Sequence, residues 1–355
     1  MTPSSRAPRP LRVGIVNDLA LACEALRRVV CSDTALKPAW IARDGREAVE
    51  MCAKDKPDVI LMDLIMPVMD GVEATRRIMK ATPCPILVVT ATVSGNAGLV
   101  YDALGAGARD AVNTPTLTLD GAVGGGAELI RRLKMIVRVT EPARATSVAV
   151  TPRVAAPVLH DAHGVAPFPT LLIGCSTGGP RALGEILAAL PKPLPFAVVV
   201  VQHISRDFAE GLAQWLASQC NAAVRLAKST DCARVGEIIL AGDDRHLVLS
   251  ENGALAQTDA PTDCMHRPSV DELFNSFASF GAPGVALLLT GMGRDGAQGL
   301  LALRRAGWHT IAQDQASSVV WGMPGAAVAL GAATQVLSLP EISAAIMAKF
   351  RQRRV

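Results

Sequence analysis

Residues 170–183, TLLIGCSTGGPRAL, combine an apolar strand, a glycine-rich turn and the start of a helix. Such a turn either cradles a phosphate or presents Ser176 as a nucleophile. No lysine follows as in a Walker phosphate loop, and Ser176 occupies the second glycine position of the dinucleotide fingerprint, so neither phosphate motif is met. The stretch does match G-x-S-x-G on a strand-to-helix turn, where a serine stands at the tip of a strand. A serine at this place is also a common helix N-cap, so the motif alone leaves both interpretations open.

Short apolar runs alternate with helix-patterned segments along most of the chain. This alternation is typical of an α/β fold with parallel strands covered on both faces by helices. Two extended runs, GEIILAG at 236–242 and HLVLSENGALAQT at 246–258, predict an antiparallel hairpin inserted into a second, doubly wound and mostly parallel sheet. The predicted strands are LRVGIV, PAWIAR, DVILMD, PILVVT and DAVN in the first half, and TLLIGC, FAVVVVQ, AAVRLA, GVALLLT, TIAQD and TQVLSL in the second.

The composition divides the chain into two domains and a linker. Its 355 residues are enough for two ordinary domains, each with a core of its own. Residues 140–169 are rich in Pro, Ala and Val and have no sustained period, as in a flexible linker. We therefore predict one domain at 1–139, a linker at 140–169 and a second domain at 170–355.

Charge and cysteine content exclude several functional classes. The net charge is +3 and aromatic residues make up 3% of the chain, which disfavours a nucleic-acid-binding surface. The 8 cysteines form no C-x-x-C pair and no group with zinc-site spacing, which indicates a reduced, cytoplasmic protein. We find no signal peptide, and no apolar run approaches the roughly 18 residues of a membrane span. We therefore expect no insertion into a membrane.

Polar residues end or follow the predicted strands of the first domain. They are Asn17 and Asp18 after the first strand, Asp63 at the end of the third, Thr90 at the end of the fourth, and Thr114 after the fifth. Because ligands of an open parallel sheet bind beyond the carboxyl ends of its strands, we expect these residues to meet at one edge.

The first domain resembles the response-regulator receiver family, most specifically in DVILMDLIMPVMDG at 58–71. The resemblance covers residues 11–139 and implies a flavodoxin-like fold of five β–α units. It also implies that Asp63 accepts a phosphoryl group from a CheA-type histidine kinase, that Asp18 and Asp63 hold Mg²⁺, and that Thr90 hydrogen-bonds the phosphoryl group. A folded scaffold on which Asp63 is never phosphorylated is the alternative.

Two residues depart from the receiver pattern. Asn17 stands at the usual first acid of the acidic pair, and Thr114 stands at the usual lysine after the fifth strand. Together these changes leave the formal charge of the pocket unchanged, and we hypothesise that they are coupled. Without the lysine's ion pair to the phosphoryl group, the signal from Asp63 would be weaker or differently routed.

A serine nucleophile requires a base and an acid that orients the base. His203 ends FAVVVVQH and Asp295 follows GVALLLT, so both come at the carboxyl ends of strands beside that of Ser176. Asp295 has an alternative role as the N-cap of the helix beginning GAQGLLALRRAG, and a lone histidine is as often structural as catalytic. The chain order serine, histidine, aspartate differs from that of α/β-hydrolases, so the assignment depends on geometry.

Five stretches of the second domain are IGCSTGGP, VVQH, HRPSVDELF, LLTGMGRDGAQGL and TIAQDQASSVVWGMPGAA. They resemble the CheB methylesterase family of chemotaxis enzymes, and the resemblance covers nearly all of 170–345. By this resemblance Ser176 is the nucleophile, His203 the general base and acid, and Asp295 the orienting carboxylate. The backbone N–H of Met292, helped by that of Thr177, is implied as the oxyanion hole. HRPSVDELF also contains a candidate binding residue, Arg267.

The resemblance implies hydrolysis of glutamate γ-methyl esters on the cytoplasmic helices of chemoreceptors, which releases methanol. It also implies deamidation of receptor glutamines, because ester and amide share a tetrahedral intermediate. No metal or organic cofactor is implied for the esterase step. A receiver joined to an esterase implies control by phosphorylation.

The receiver departures resemble those of Wsp-type members, which work beside a diguanylate cyclase output. The most similar stretches are GIVNDLALACEALRR at 14–28 and DAVNTP at 110–115. Two other functional classes stay open at this point: a receiver-bearing binding protein whose esterase is dispensable, and an esterase of a small molecule, for which a receiver would be superfluous.

Overall fold

The computed structural model describes residues 9–90, 93–117, 123–138, 169–204, 206–262, 264 and 266–352. It divides into two compact units, Met1–Ala143 and Arg144–Val355. The predicted linker at 140–169 lies outside the described residues, apart from residue 169.

The N-terminal unit contains five strands in the order β2-β1-β3-β4-β5, and every neighbouring pair is parallel. This order is the flavodoxin-like arrangement implied by the resemblance. β3 and β4 are buried along their whole length, as expected of consecutive apolar residues in a sheet covered on both faces. The strands are β1 (Leu11–Val16), β2 (Leu36–Ala42), β3 (Val59–Met62), β4 (Ile86–Thr90) and β5 (Asp110–Asn113), followed by a short antiparallel pair, β6 (Thr116–Leu117) and β7 (Val123–Gly124).

Two helices of this unit begin at aspartates that cap them. Asp44 caps α2 and Asp70 caps α3, each by accepting backbone N–H groups of the first turn. Gly71 begins α3, and a Cβ there would lie 2.0 Å from the carbonyl oxygen of Asp63, so only glycine allows this close approach. The helices are α1 (Ala20–Cys31), α2 (Gly45–Lys54), α3 (Gly71–Ala81), α4 (Val93–Gly105) and α5 (Gly126–Arg138).

The C-terminal unit is built on seven strands in the order β10-β12-β9-β8-β15-β16-β17, and all neighbouring pairs are parallel. The central strands β8 and β9 are buried at every residue. The strands of this sheet are β8 (Thr170–Cys175), β9 (Ala197–Gln202), β10 (Ala223–Leu226), β12 (Glu237–Leu240), β15 (Val285–Leu288), β16 (His309–Gln313) and β17 (Gln335–Leu337).

The antiparallel insertion differs from the expectation in one strand. GEIILAG forms β12, which pairs in parallel with β9 and β10 and is therefore part of the main sheet. HLVLSENGALAQT forms the hairpin, whose two strands join a third in a separate antiparallel sheet of order β11-β14-β13. Its strands are β11 (Thr230–Asp231), β13 (His246–Leu249) and β14 (Leu255–Thr258).

Six helices of the C-terminal unit complete the α/β fold among the described residues. Phe277 of α8 makes an edge-to-face contact with Trp308, which directly precedes β16, and the ring centroids are 5.9 Å apart. No helix among the described residues is long and apolar enough to cross a membrane. The helices are α6 (Gly179–Ala189), α7 (Arg206–Cys220), α8 (Val270–Phe280), α9 (Ala297–Arg305), α10 (Met323–Ala329) and α11 (Leu339–Gln352).

Candidate active site

Three neighbouring strands of the C-terminal sheet bring the predicted triad to one edge. The parallel strand β8 lies between β9 and β15. Ser176 directly follows β8, His203 directly follows β9, and Asp295 lies in the loop between β15 and α9. All three residues therefore lie at the carboxyl edge of the sheet, as the sequence predicts.

The backbone holds Ser176 at the tip of its strand. Its N–H donates to Thr290 O at 3.0 Å, and its carbonyl oxygen accepts from Gly179 N at 2.7 Å. The N-cap of α6 is Gly178, with φ 79°, and no side chain caps this helix. The N-cap interpretation of Ser176 is therefore wrong, and its half-buried side chain is left for another role.

His203 and Asp295 form a close hydrogen-bonded pair. His203 Nε2 lies 2.6 Å from Asp295 Oδ2, and the two side chains are 8% and 11% exposed. A ring nitrogen that faces a carboxylate carries the proton, so Nδ1 is the nitrogen that can accept one. Nδ1 is buried and has no hydrogen-bond partner among the described residues.

The carboxylate of Asp295 is held by the N-terminus of α8. It accepts from the hydroxyl of Ser269 at 2.8 Å and from the backbone N–H groups of Val270 at 2.7 Å and Asp271 at 2.9 Å. Burial raises the pKa of Asp295, but the hydrogen bond and charge of His203 and these backbone donors outweigh burial and hold the pKa well below its usual range. Asp295 is therefore ionised at neutral pH.

The alternative role of Asp295 as the cap of the helix that follows it is wrong. The N-cap of α9 is Gly296, and no side chain caps that helix. Ser269 is the side-chain cap of α8, because its hydroxyl oxygen accepts the backbone N–H of Glu272. The carboxylate of Asp295 adds to this cap from a distant part of the chain.

A glycine brings the loop after β15 against Ser176. A Cβ at Gly291 would lie 2.8 Å from Ser176 Cβ and 2.3 Å from Met323 Sδ, so the approach requires glycine. Gly291 O accepts from Met323 N at 2.9 Å, which anchors the loop. Met292, one of the two predicted oxyanion donors, is the next residue and is 37% exposed; the other, Thr177, directly follows Ser176 and is 7% exposed.

His266 lies on the face of the candidate base. The rings of His203 and His266 are stacked with centroids 4.3 Å apart and planes inclined by 18°. Next to it, the guanidinium of Arg267 donates to Thr262 O at 2.7 Å. The sequence analysis did not anticipate this contact of His266 with His203, nor the hydrogen bonds from the same HRPSVDELF segment to Asp295.

The N-terminal sheet forms a second polar site around Asp63. Asp63 Oδ1 accepts from Leu64 N at 2.7 Å, and Oδ2 accepts from Asn17 Nδ2 at 3.0 Å. Burial raises the pKa of Asp63 to about 6, and the charge of Asp18 acts in the same direction, while backbone N–H groups of Leu64 and Ile65 partly oppose it.

Thr90 and Thr114 lie at the ends of adjacent strands of the same sheet. Thr114 N donates to Thr90 O at 2.9 Å, and Thr90 is 2% exposed. The hydroxyl of Thr114 is buried and has no hydrogen-bond partner among the described residues. Thr114 stands where the receiver pattern has a lysine, so this site has a neutral hydroxyl in place of a positive charge.

Two segments of the sequence, one in each unit, match known families. The sequence profile described as CheB methylesterase matches residues 171–346, and the profile of the response regulator receiver domain matches residues 13–118. A protein-glutamate methylesterase/protein-glutamine glutaminase of Cupriavidus metallidurans is 49% identical over 338 residues, which cover 94% of this chain and 96% of the relative. This chain belongs to the CheB methylesterase family.

Other proteins similar to this CheB-family chain include one of Pseudomonas aeruginosa with the same descriptive name, which is 46% identical over 335 residues, covering 94% of this chain and 98% of the relative. Among solved structures, the catalytic domain of Thermotoga maritima CheB is 33% identical, covers 51% of this chain and 97% of its own, and has a TM-score of 0.48. The response regulator domain of the same organism's CheB is 32% identical, covers 37% and 95%, and has a TM-score of 0.31.

The donor set of the Asp63 site in this CheB-family chain fits Mg²⁺. The carboxylates of Asp18 and Asp63 are close enough for the charge of one to raise the pKa of the other, and a divalent cation would offset this repulsion. Asn17 contributes differently, because its Oδ1 accepts from Leu19 N at 2.9 Å and its amide nitrogen faces Asp63. Asp18 and Asp63 are therefore the residues that would hold the ion.

Proposed function

We propose that this protein hydrolyses the γ-methyl esters of glutamate side chains in chemoreceptors, and deamidates receptor glutamines, in receptor adaptation. The observation that carries the proposal is the 2.6 Å hydrogen bond of His203 with Asp295 beside the strand tip of Ser176. The near-full-length identity to a protein-glutamate methylesterase/protein-glutamine glutaminase supports the choice of substrate.

The proposed reaction begins with attack of Ser176 Oγ on the ester carbonyl carbon. His203 Nδ1 accepts the hydroxyl proton, and the ionised Asp295 stabilises the resulting imidazolium through Nε2–H. His203 then returns the proton to the methoxy oxygen, so methanol leaves and an acyl-enzyme remains on Ser176. Water hydrolyses this ester by the same steps, which restores Ser176 and leaves a glutamate carboxylate.

The oxyanion of the tetrahedral intermediate would be bound by backbone N–H groups of Met292 and Thr177. Support comes from the close approach of Gly291 to Ser176, which brings the Met292 segment next to the nucleophile. One donor of this kind is worth roughly 3 to 4 kcal/mol in the transition state. A glutamine amide passes through the same intermediate and releases ammonia in place of methanol.

The N-terminal unit would control this activity through phosphorylation of Asp63. A CheA-type histidine kinase is the proposed phosphodonor, and Mg²⁺ held by Asp18 and Asp63 would neutralise charge during phosphoryl transfer. Thr90 would hydrogen-bond the phosphoryl group. Asn17 and Thr114 favour a Wsp-type pathway, and the receptor substrate favours a location in the cytoplasm.

The experiment is methanol release from a receptor carrying radiolabelled methyl esters. We expect release by the native protein, stimulation by a small phosphodonor with Mg²⁺, and loss of release in Ser176→Ala. Ser218→Ala is the matched control, because Ser218 Oγ donates to Trp215 O within α7. Equal release by native protein and Ser176→Ala would exclude Ser176 as the nucleophile, and no release by the native protein would favour a binding function.

A further inference from the structure

Gln202 is the last residue of β9 and immediately precedes His203. It is 3% exposed, and its Nε2 donates to two backbone carbonyl oxygens, that of Ser176 at 2.9 Å and that of His203 at 3.0 Å. One amide group thus joins the residue of the nucleophile to the residue of the base. We propose that Gln202 is a positioning residue that fixes the spacing of Ser176 and His203 for the esterase reaction.

These two hydrogen bonds of Gln202 lie where the backbone pairing of β8 and β9 stops. The parallel ladder of β8 and β9 ends at Cys175 and Gln202, and His203 N makes a last bond to Cys175 O at 3.0 Å. Beyond that point, the Gln202 side chain replaces the ladder as the bond between the two chain segments. Ser176 and His203 are therefore the first residues beyond the ladder, and their spacing depends on the Gln202 side chain.

A glutamine suits this position because its terminal nitrogen has two hydrogens for two acceptors. A glutamate has no donor when ionised, and methionine has a similar length without a donor. The two carbonyl acceptors also fix which way the amide is turned, with Oε1 toward Gly179. A Cβ at Gly179 would lie 2.0 Å from Gln202 Oε1, so this glycine leaves the space that the amide occupies.

This inference rests on the proposed roles of Ser176 and His203. Loss of the two Gln202 hydrogen bonds would displace the base relative to the nucleophile, and a misplacement of ~1 Å costs on the order of 10²-fold in rate. We therefore expect Gln202→Met to lower kcat for methyl-ester hydrolysis by about 10²-fold with an unchanged KM. A merely structural role would lower the melting temperature and leave kcat of the folded protein near the native value.

The test measures kcat, KM and melting temperature for Gln202→Met, with Gln257→Met as the matched control and Ser176→Ala in parallel. Gln257 Nε2 donates to Ala227 O at 3.3 Å and to no residue of the triad, so its variant should keep the native kcat. Native kcat in folded Gln202→Met, together with an inactive Ser176→Ala, would overturn the role of Gln202 alone. Native kcat in Ser176→Ala would overturn the proposed function itself.

A second measurement uses the unsubstituted protein and does not depend on a variant that folds. Both side-chain amide protons of Gln202 should exchange slowly with solvent in an NMR experiment, because the side chain is buried and each proton is bonded to a backbone carbonyl oxygen. Rapid exchange of either proton would contradict the double hydrogen bond and overturn the proposal.

Discussion

The carboxylate of Asp295 that accepts the Nε2 proton of His203 at 2.6 Å also accepts the backbone N–H of Val270 at 2.7 Å, at the start of α8. One side chain therefore joins the candidate base to a helix N-terminus. The positive end of the helix stabilises the charge on Asp295, which keeps it able to stabilise a protonated His203.

Asp295→Asn tests this relationship. An asparagine keeps the shape, but its neutral side chain stabilises neither the Nε2–H form of the ring nor the imidazolium. We expect kcat for methanol release to fall by on the order of 10³- to 10⁴-fold. The matched control is Asp259→Asn, because Asp259 is a largely exposed carboxylate paired at 3.5 Å with Arg245. A native rate in Asp295→Asn would contradict the orienting role.

The stack of His266 on His203 predicts a difference between two substitutions. An aromatic contact of this kind contributes ~0.5 to 1.5 kcal/mol, so its removal in His266→Ala should lower kcat about 2- to 10-fold. His266→Phe retains a flat ring over His203 and should keep kcat near native. Steady-state hydrolysis by both variants is the measurement, and equal losses in the two would show that stacking is not what His266 contributes.

Asp271 is predicted to lower stability at neutral pH. Burial raises its pKa to about 6, with a further contribution from the charge of Asp295. The usual aspartate pKa is about 3.9, so the folded state binds this proton more tightly than the unfolded state. The contribution of Asp271 to the free energy of unfolding therefore decreases as pH rises from about 4 to 6 and stays low above that range.

Asp271→Asn should remove this cost while it keeps the acceptor for Gly299 N, which lies 2.6 Å from Asp271 Oδ1. We expect a gain of ~1 to 2 kcal/mol in the free energy of unfolding at pH 7, and a much smaller gain at pH 4, by urea denaturation. A gain in the free energy of unfolding that is smaller at pH 7 than at pH 4 would contradict the predicted pH dependence.

The Asn17–Asp63 hydrogen bond predicts weak Mg²⁺ binding. Asn17→Asp would replace an amide donor by a third carboxylate, so affinity for Mg²⁺ in calorimetric titration should increase about tenfold or more, since oxygen anions are the preferred ligands of this ion. Asn252→Asp, in the hairpin of the other unit, is the matched control. Unchanged affinity in Asn17→Asp would mean that residue 17 does not limit metal binding.

The strands, and the position of the candidate triad residues at the carboxyl edge of the sheet, could be predicted from the sequence because each depends on local pattern. The apolar runs mark the strands, and Ser176 and His203 directly follow two of them. GEIILAG shows where the interpretation failed: its continuous apolar run Ile238, Ile239 and Leu240 is typical of a parallel strand buried on both faces, and that signal was outweighed by the polar loops beside it.

Contacts between distant segments could not be predicted in this way. Ser269 and Asp295 are 26 residues apart in the chain, and their hydrogen bond depends on how α8 packs against the sheet. The double hydrogen bond of Gln202 depends on the turn of the chain after β8, and the stack of His266 depends on the approach of its loop to β9. Such contacts depend on tertiary packing, for which local sequence carries no signal.

The most direct test of Ser176 as the nucleophile is detection of the acyl-enzyme. A glutamyl methyl ester substrate would be mixed in separate reactions with native protein, His203→Gln and Ser176→Ala. Each reaction would be quenched in acid within one turnover, and the digested peptides would be analysed by mass spectrometry. The account predicts an acyl adduct on Ser176 in the native protein and its loss in His203→Gln and Ser176→Ala. An adduct on another residue, or methanol release from Ser176→Ala at the native rate, would contradict it.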